Sequence, residues 1–131
     1  MNNRGRHPNA DTAENFAAAQ YDLELTPEAD WYDAIADNGT KYEVKGAELS
    51  KQSGRQGRFR IWEDNHRSLT FSNGKSNAWY VFVVIQNGRV IDHRRTQPQT
   101  ITRIINDRGG WNRSGHARGG RQHKLLISEL F

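Results

Sequence analysis

Nine residues separate Asp33 from the tripeptide Glu43-Val44-Lys45, and no other part of this chain is better suited to chemistry. In an extended strand side chains alternate between faces, so Glu43 and Lys45 share one face. Two carboxylates brought opposite one another repel unless a cation lies between them, and hard oxygen donors of this kind suit magnesium or manganese. Such an ion polarises a phosphate oxygen and lowers the pKa of a bound water. Lys45 is then placed to orient that water and to neutralise charge developing on the phosphorus. The Val44 backbone carbonyl is a further oxygen donor beside the pair. Glu-X-Lys also occurs on exposed strands whose side chains simply face water, so the elements around it carry much of the reading.

The parity of a turn decides whether Asp33 joins the other two. Trp31–Ala36 and Thr40–Gly46 read as the arms of a hairpin around Asp37-Asn38-Gly39. A two-residue turn pairs position 34 with 43 and sends Asp33 to the opposite face. A three-residue loop with Gly39 at positive φ pairs 33 with 43 and puts Asp33, Glu43 and Lys45 together. The three-residue loop is the register expected here.

The charge is unevenly distributed. The 131 residues carry a net charge of +4, but residues 1–50 hold four bases against ten acids and the remainder fifteen bases against five. A basic half attracts polyanions, and the 14 arginines, against 5 lysines, suit forked contacts to phosphate or guanine. Carboxylates to hold a cation, joined to bases to hold DNA, are what a metal-dependent nuclease requires. The absence of cysteine excludes disulfide frameworks and thiolate zinc sites. The longest apolar run, Ala78–Ile85, falls short of the roughly 20 residues of a membrane span, so no membrane partner is expected. No secretory signal is visible, and the cytoplasm is the default compartment.

The length fits one domain, expected over residues 11–131 behind a flexible tail at 1–10. Asp11 and Glu14 have the spacing of a capping pattern at a helix start, followed by Ala17, Ala18 and Ala19. Leu23 and Leu25 suggest a short extended piece before Thr26-Pro27. Phe59, Trp62, His66 and Leu69 recur at helical steps, although Phe59-Arg60-Ile61 would also serve as a strand. Asn73-Gly74 reads as a turn, Trp79–Ile85 as a central strand buried on both faces, and Asn87-Gly88 as a tight hairpin into Arg89–His93. Pro98 to Asp107 reads as a helix ended by Gly109-Gly110, and Lys124–Ile127 as a last strand. The sum is an α/β domain with a mixed central sheet of about five strands flanked by helices.

A helix bearing Glu14, a Trp31-Tyr32-Asp33 strand, a turn, a Tyr42-Glu43-Val44-Lys45-Gly46 strand and a basic remainder together resemble the PD-(D/E)XK nuclease superfamily. The restriction-endonuclease-like fold goes with that family. The nearest resemblance is to small archaeal members similar to Holliday-junction resolvases and Mrr-like endonucleases. Element order matches over Asp11 to Phe131, the specific residues lying mostly in 14–46. The resemblance implies Asp33 and Glu43 as metal ligands, Lys45 as the catalytic lysine and Glu14 as an accessory acid near the metal. Tyr32 stands where the family's name has proline, which leaves Asp30 and Asp37 as alternatives to Asp33.

The expected activity is magnesium- or manganese-dependent hydrolysis of DNA phosphodiesters, on duplex or branched substrates. One chain presents one active site, so cutting two strands or a junction calls for a homodimer. Lys51, Arg55, Arg58 and Arg60 form a candidate phosphate-binding segment after the catalytic strand. Arg113, Arg118 and Arg121 punctuate a glycine-rich stretch suited to following a phosphate backbone, and Gln122 and Lys124 share a face of the last strand. His66 reads as a histidine at the core edge, while His93, His116 and His123 lack zinc-ligand spacing. The four tryptophans read mainly as packing residues, with Trp111 a candidate for stacking on a base. Two other functions use the same features: a nucleic-acid-binding protein without catalysis, and an inhibitor-like module whose charged halves bind a protein.

Overall fold

A computed structural model describes residues 8–29, 31–75, 77–113 and 119–131, apart from the side chain of Lys75. The expectations for Arg4, Arg6, Asp30, His116 and Arg118 therefore lie outside the described residues. The described residues begin with helix α1 (Pro8–Tyr21), so positions 8–10 of the expected tail are helical. Proline suits the first turn of a helix, where its missing N–H is not needed, and it starts α1 ahead of Asp11. Asp11 sits in the first turn of the helix. Asp22 ends α1 at φ 57°, and the Leu23 N–H reaches back to the Ala18 carbonyl at 2.9 Å.

Strand β1 (Glu24–Leu25) pairs with β2 (Ala34–Ile35), and β2 pairs antiparallel with β3 (Lys41–Glu48). The pairs Ala34/Tyr42 and Ile35/Lys41 fix the three-residue loop register, and Asp33, just before the paired residues, donates its N–H to the Tyr42 carbonyl at 2.8 Å. Gly39 takes φ 87°, the Ala36 N–H bonds the Thr40 carbonyl at 2.9 Å, and Asn38 Oδ1 accepts the Thr40 N–H at 3.0 Å. The first arm is shorter than expected. At Asp33 a side-chain oxygen takes the Val44 N–H that a longer strand would bond with its backbone.

β3 continues the sheet in parallel with β5 (Ala78–Gln86), and β5 turns through Asn87-Gly88 into β6 (Arg89–Thr96). Both turn residues have positive φ, 53° and 78°, as a two-residue hairpin between right-twisted strands demands. The order β1-β2-β3-β5-β6 is the expected mixed five-stranded sheet.

One face of that sheet, with Tyr42, Val44, Val81, Val83 and Ile85, buries Ala13 and Ala17 of α1. The approach is close: a Cβ on Gly46 would lie 2.9 Å from both the Ala13 Cβ and the Asn9 carbonyl oxygen. The opposite face, with Tyr80, Phe82 and Val84, packs on helices α2 (Glu63–Lys75) and α3 (Pro98–Asp107) through Leu69, Ile101 and Ile105.

That opposite face also covers a second sheet, which the sequence reading did not separate out. Strand β4 (Arg58–Trp62) pairs with β8 (Arg121–Leu126), and β8 pairs with β7 (Asn112–Arg113). The last strand therefore lies outside the main sheet. Alternation is clean: Phe59, Ile61, His123 and Leu125 are buried, whereas Arg58, Arg60 and Lys124 are exposed. Asn73-Gly74, expected as a turn, falls in the last part of α2. Asn73 instead accepts the Ala78 N–H on Oδ1 at 3.0 Å and donates to Gln99 at 2.7 Å, tying the helix end to β5 and α3. A 3-10 turn, Ile127–Glu129, closes the chain. Among the described residues no helix is long and apolar enough to cross a membrane.

Candidate active site

The β2–β3 hairpin projects Asp33, Glu43 and Lys45 into one cleft of about 680 Å³. Asp33 Oδ2 accepts the Val44 N–H at 2.8 Å, which fixes the carboxyl against β3. Lys45 Nζ lies 3.3 Å from Glu43 Oε2, the pair that the two-residue strand repeat puts on one side. Glu43 is only 6% exposed. Burial pushes its pKa well above the ordinary carboxylate range; Lys45 opposes the rise, and the neighbouring Asp33 carboxyl adds to it. Two acids thus share a confined site with one ammonium group. Tyr80, the parallel-strand neighbour of Glu43, is buried behind it, and burial followed by the Glu43 charge raises its pKa well above normal.

This donor set fits a divalent cation. Removing charged carboxylates from water is costly, and a cation between them offsets both the desolvation and their repulsion. Among the described residues no group of three or more His, Asp or Glu converges as metal ligands. Glu14 lines the same cleft without completing such a trio. Two carboxylates suit a hard divalent cation that completes its shell with water and substrate phosphate.

The same cleft also carries cations. Lys51, Arg58, Arg60 and Lys124 all line the cleft, and Arg60 lies across from Lys124 in the β4–β8 ladder. Desolvation, then the positive charges of Arg58, Arg60 and Lys51, lower the Lys124 pKa. Such mutual repulsion among like charges is relieved by a bound polyanion.

The remaining sequence candidates are elsewhere. Arg55 is exposed on the loop before β4, and Arg113 is exposed on β7; neither lines the cleft. Arg121 donates through Nε to Glu63 Oε1 at 2.7 Å and through Nη2 to Oε2, which commits its charge to an ion pair. Gln122 is half-buried, its Oε1 lacking a hydrogen-bond partner, and it also lies outside the cleft lining. Asp37 is on the hairpin loop and does not line the cleft, whereas the Asp33 carboxyl lies close enough to Glu43 to raise its pKa. Trp31, Tyr32, Trp62 and Asn65 do line it and were not anticipated there. For Trp62 a signal existed: the alternation Arg58, Arg60, Trp62 puts the indole on the cationic face.

A family model for the PD-(D/E)XK nuclease superfamily domain matches residues 1–131. The chain belongs to the PD-(D/E)XK nuclease superfamily. Its α/β fold, with a mixed five-stranded sheet flanked by helices, is consistent with the restriction-endonuclease-like architecture of that group. A nuclease domain implies DNA as partner and, as is general in the superfamily, a divalent metal ion. Among curated proteins, none matches this chain.

Proposed function

We propose that the protein is a magnesium- or manganese-dependent DNA endonuclease, with Asp33 and Glu43 as metal ligands and Lys45 as the catalytic lysine. The observation that carries this reading is the closeness of the Asp33 and Glu43 carboxyls, with Lys45 3.3 Å from Glu43 and Lys51, Arg58, Arg60 and Lys124 lining the same cleft. The Val44 carbonyl is the proposed backbone ligand, and Glu14 an accessory acid at the rim of the cleft. When bound, the cation supplies Lewis acidity toward a phosphate oxygen and an acidified water.

The chain's own groups do the rest. The Val44 N–H holds Asp33 in place. Glu43, in its ionised form, accepts from Lys45, so the ammonium is held at the rim of the acid pair where it can meet a phosphate oxygen. Charge developing on that oxygen is stabilised there by a preformed donor. Arg58, Arg60, Lys51 and Lys124 hold neighbouring phosphates along the cleft, with Arg55 and Arg113 as outlying contacts. A chain with one such cleft would cut both strands, or a four-way junction, as a homodimer.

Lys45→Ala tests the proposal. It should lower metal-dependent cleavage by about 10²- to 10³-fold, the usual effect of losing one transition-state donor. Binding measured in EDTA should change by no more than a few-fold. Undiminished cutting by the variant, or wild-type cutting in EDTA, would remove the hydrolytic reading.

A further inference from the structure

The β4–β8 ladder forces like charges together in the cleft. Arg60 and Lys124 are direct partners across the two strands, and Arg58 lies one step along the same exposed face. Side chains directly opposite in an antiparallel pair have Cβ atoms about 5 Å apart, and diagonal neighbours about 7–8 Å. Lys51 comes from the segment after β3, which the Ser50–Gln56 bridge and the Lys51 N–H bond to the Arg55 carbonyl, 2.8 Å, fold back toward β4. All four line the cleft, and they share one electrostatic field: after desolvation, the charges of Arg58, Arg60 and Lys51 lower the Lys124 pKa.

None of the four has an ion-pair partner among the described residues. Arginines elsewhere do: Glu63 takes Arg67 and Arg121, and Glu129 takes Arg108. Like charges directly opposite in a ladder are destabilising, so the missing negative charge is one that a ligand supplies. The size of that charge follows from the crowding. A diester inside a strand carries a single charge, and successive diesters are spaced along the backbone, which a row of separated cations would match. Four cations crowded together match a phosphorus that bears more than one charge. A phosphomonoester carries about −1.5 to −2 near neutral pH on three acceptor oxygens. Two guanidinium forks and two ammonium groups are a donor set for such oxygens.

We propose that Lys51, Arg58, Arg60 and Lys124 form a subsite for the terminal phosphomonoester of a DNA strand, so that the cleft selects DNA with a phosphorylated strand end beside the bond to be cut. The inference rests on the cleft being the nucleic-acid site, and it deepens that reading by naming the form of the substrate. The four residues determine specificity and take no part in the acid-pair chemistry.

The test uses the full chain in EDTA, so that no strand is cut. Binding is measured to one short duplex in three forms: with a 5′-phosphate, with a 3′-phosphate, and with hydroxyl groups at every end. The wild type should prefer one phosphorylated form over the hydroxyl form by roughly 10- to 150-fold, the range for one added charge-assisted hydrogen bond. Lys124→Gln and Arg58→Gln should each lower that ratio about tenfold, whereas Lys124→Arg, which keeps the charge, should retain it. Arg103→Gln, exposed on α3 and outside the cleft lining, should leave the ratio unchanged. Equal binding of the three forms, the same small gain from either phosphorylated end, or a preference that survives both Gln variants overturns the proposal. Inorganic phosphate, with ionic strength matched by chloride, is the last arm. It should displace phosphorylated DNA more readily than hydroxyl-ended DNA; phosphate binding without any preference among the ends marks a free-anion site and also overturns the proposal. Cleavage with magnesium is scored separately. A chain that cuts hydroxyl-ended duplex and shows no end preference loses this inference and keeps its hydrolytic function. One that selects a phosphorylated end yet cuts nothing keeps the inference and loses the hydrolysis.

Discussion

His66 should make the protein lose stability over a defined acid window. The residue is buried on α2, with Nδ1 2.6 Å from the Tyr80 hydroxyl and Nε2 2.7 Å from Thr102 Oγ1. Thr102 donates its own proton to the Pro98 carbonyl, so it accepts from Nε2–H of the ring. Nδ1 is then bare and accepts from Tyr80. This is a satisfied neutral tautomer, and a second proton would face the Tyr80 O–H with no carboxylate partner to receive it. Burial accordingly lowers the His66 pKa from 6.5 to about 4.

The sign follows from which state takes up the proton. As pH falls below 6.5 the unfolded chain protonates its histidine and the folded chain does not, so stability declines until about pH 4, where both are protonated. The full difference is about 3 kcal/mol, a large part of the roughly 5–15 kcal/mol that holds a small domain together. Glu43 works in the opposite sense. Its raised pKa means the folded state keeps a proton that the unfolded chain has released, so its contribution weakens as pH rises past 4.5. Urea unfolding of wild type, His66→Gln and Glu43→Gln from pH 7 to pH 4, all in EDTA, separates the two. The stability of the wild type relative to His66→Gln should fall by about 3 kcal/mol across that range. A difference that stays flat with pH would refute the assignment of a buried neutral histidine.

Four other outcomes can be checked. Asp33→Asn keeps an acceptor for the Val44 N–H and should stay within about 1 kcal/mol of wild-type stability while losing metal-dependent cleavage; Asp33→Ala should cost roughly 1–3 kcal/mol in urea unfolding as well. Gly46→Ala forces a methyl against Ala13 and the Asn9 carbonyl and should destabilise by about 1–3 kcal/mol, with α1 shifted off β3 in amide exchange. Gly39→Ala must adopt φ 87° and should cost about 1 kcal/mol, lowering activity through the hairpin that aligns Asp33 with Glu43. Alanine at Arg58, Arg60 or Lys124 should weaken DNA binding and reduce the slope of log affinity against log salt by about 1 each, whereas Arg121→Ala, whose charge Glu63 already holds, should change that slope little.

The acid pair was legible in the sequence because its geometry is local. Asp37-Asn38-Gly39 sets the parity of one hairpin, and that register, with the Val44 N–H holding the Asp33 carboxyl, brings Asp33 beside Glu43. Asn87-Gly88 and Pro98 marked the next hairpin and α3 just as locally, since each demands a particular backbone conformation. The cationic wall was harder to see because it is non-local. Arg60 meets Lys124 across a ladder whose strands are far apart in the chain, and nothing in either segment names its partner. The β4 residues were also ambiguous: Phe59 and Trp62 are three apart, which fits a helix, while Phe59 and Ile61 are two apart, which fits a strand. The strand won because Phe59 and Ile61 both reach the main core from β4, together with Leu125 of β8, and a helix would have turned one of them away. That outcome also decides the fate of Trp62. Helical spacing would have grouped it with Phe59 as a packing residue; strand alternation groups it with Arg58 and Arg60, in the cleft that Asp33 and Glu43 also line.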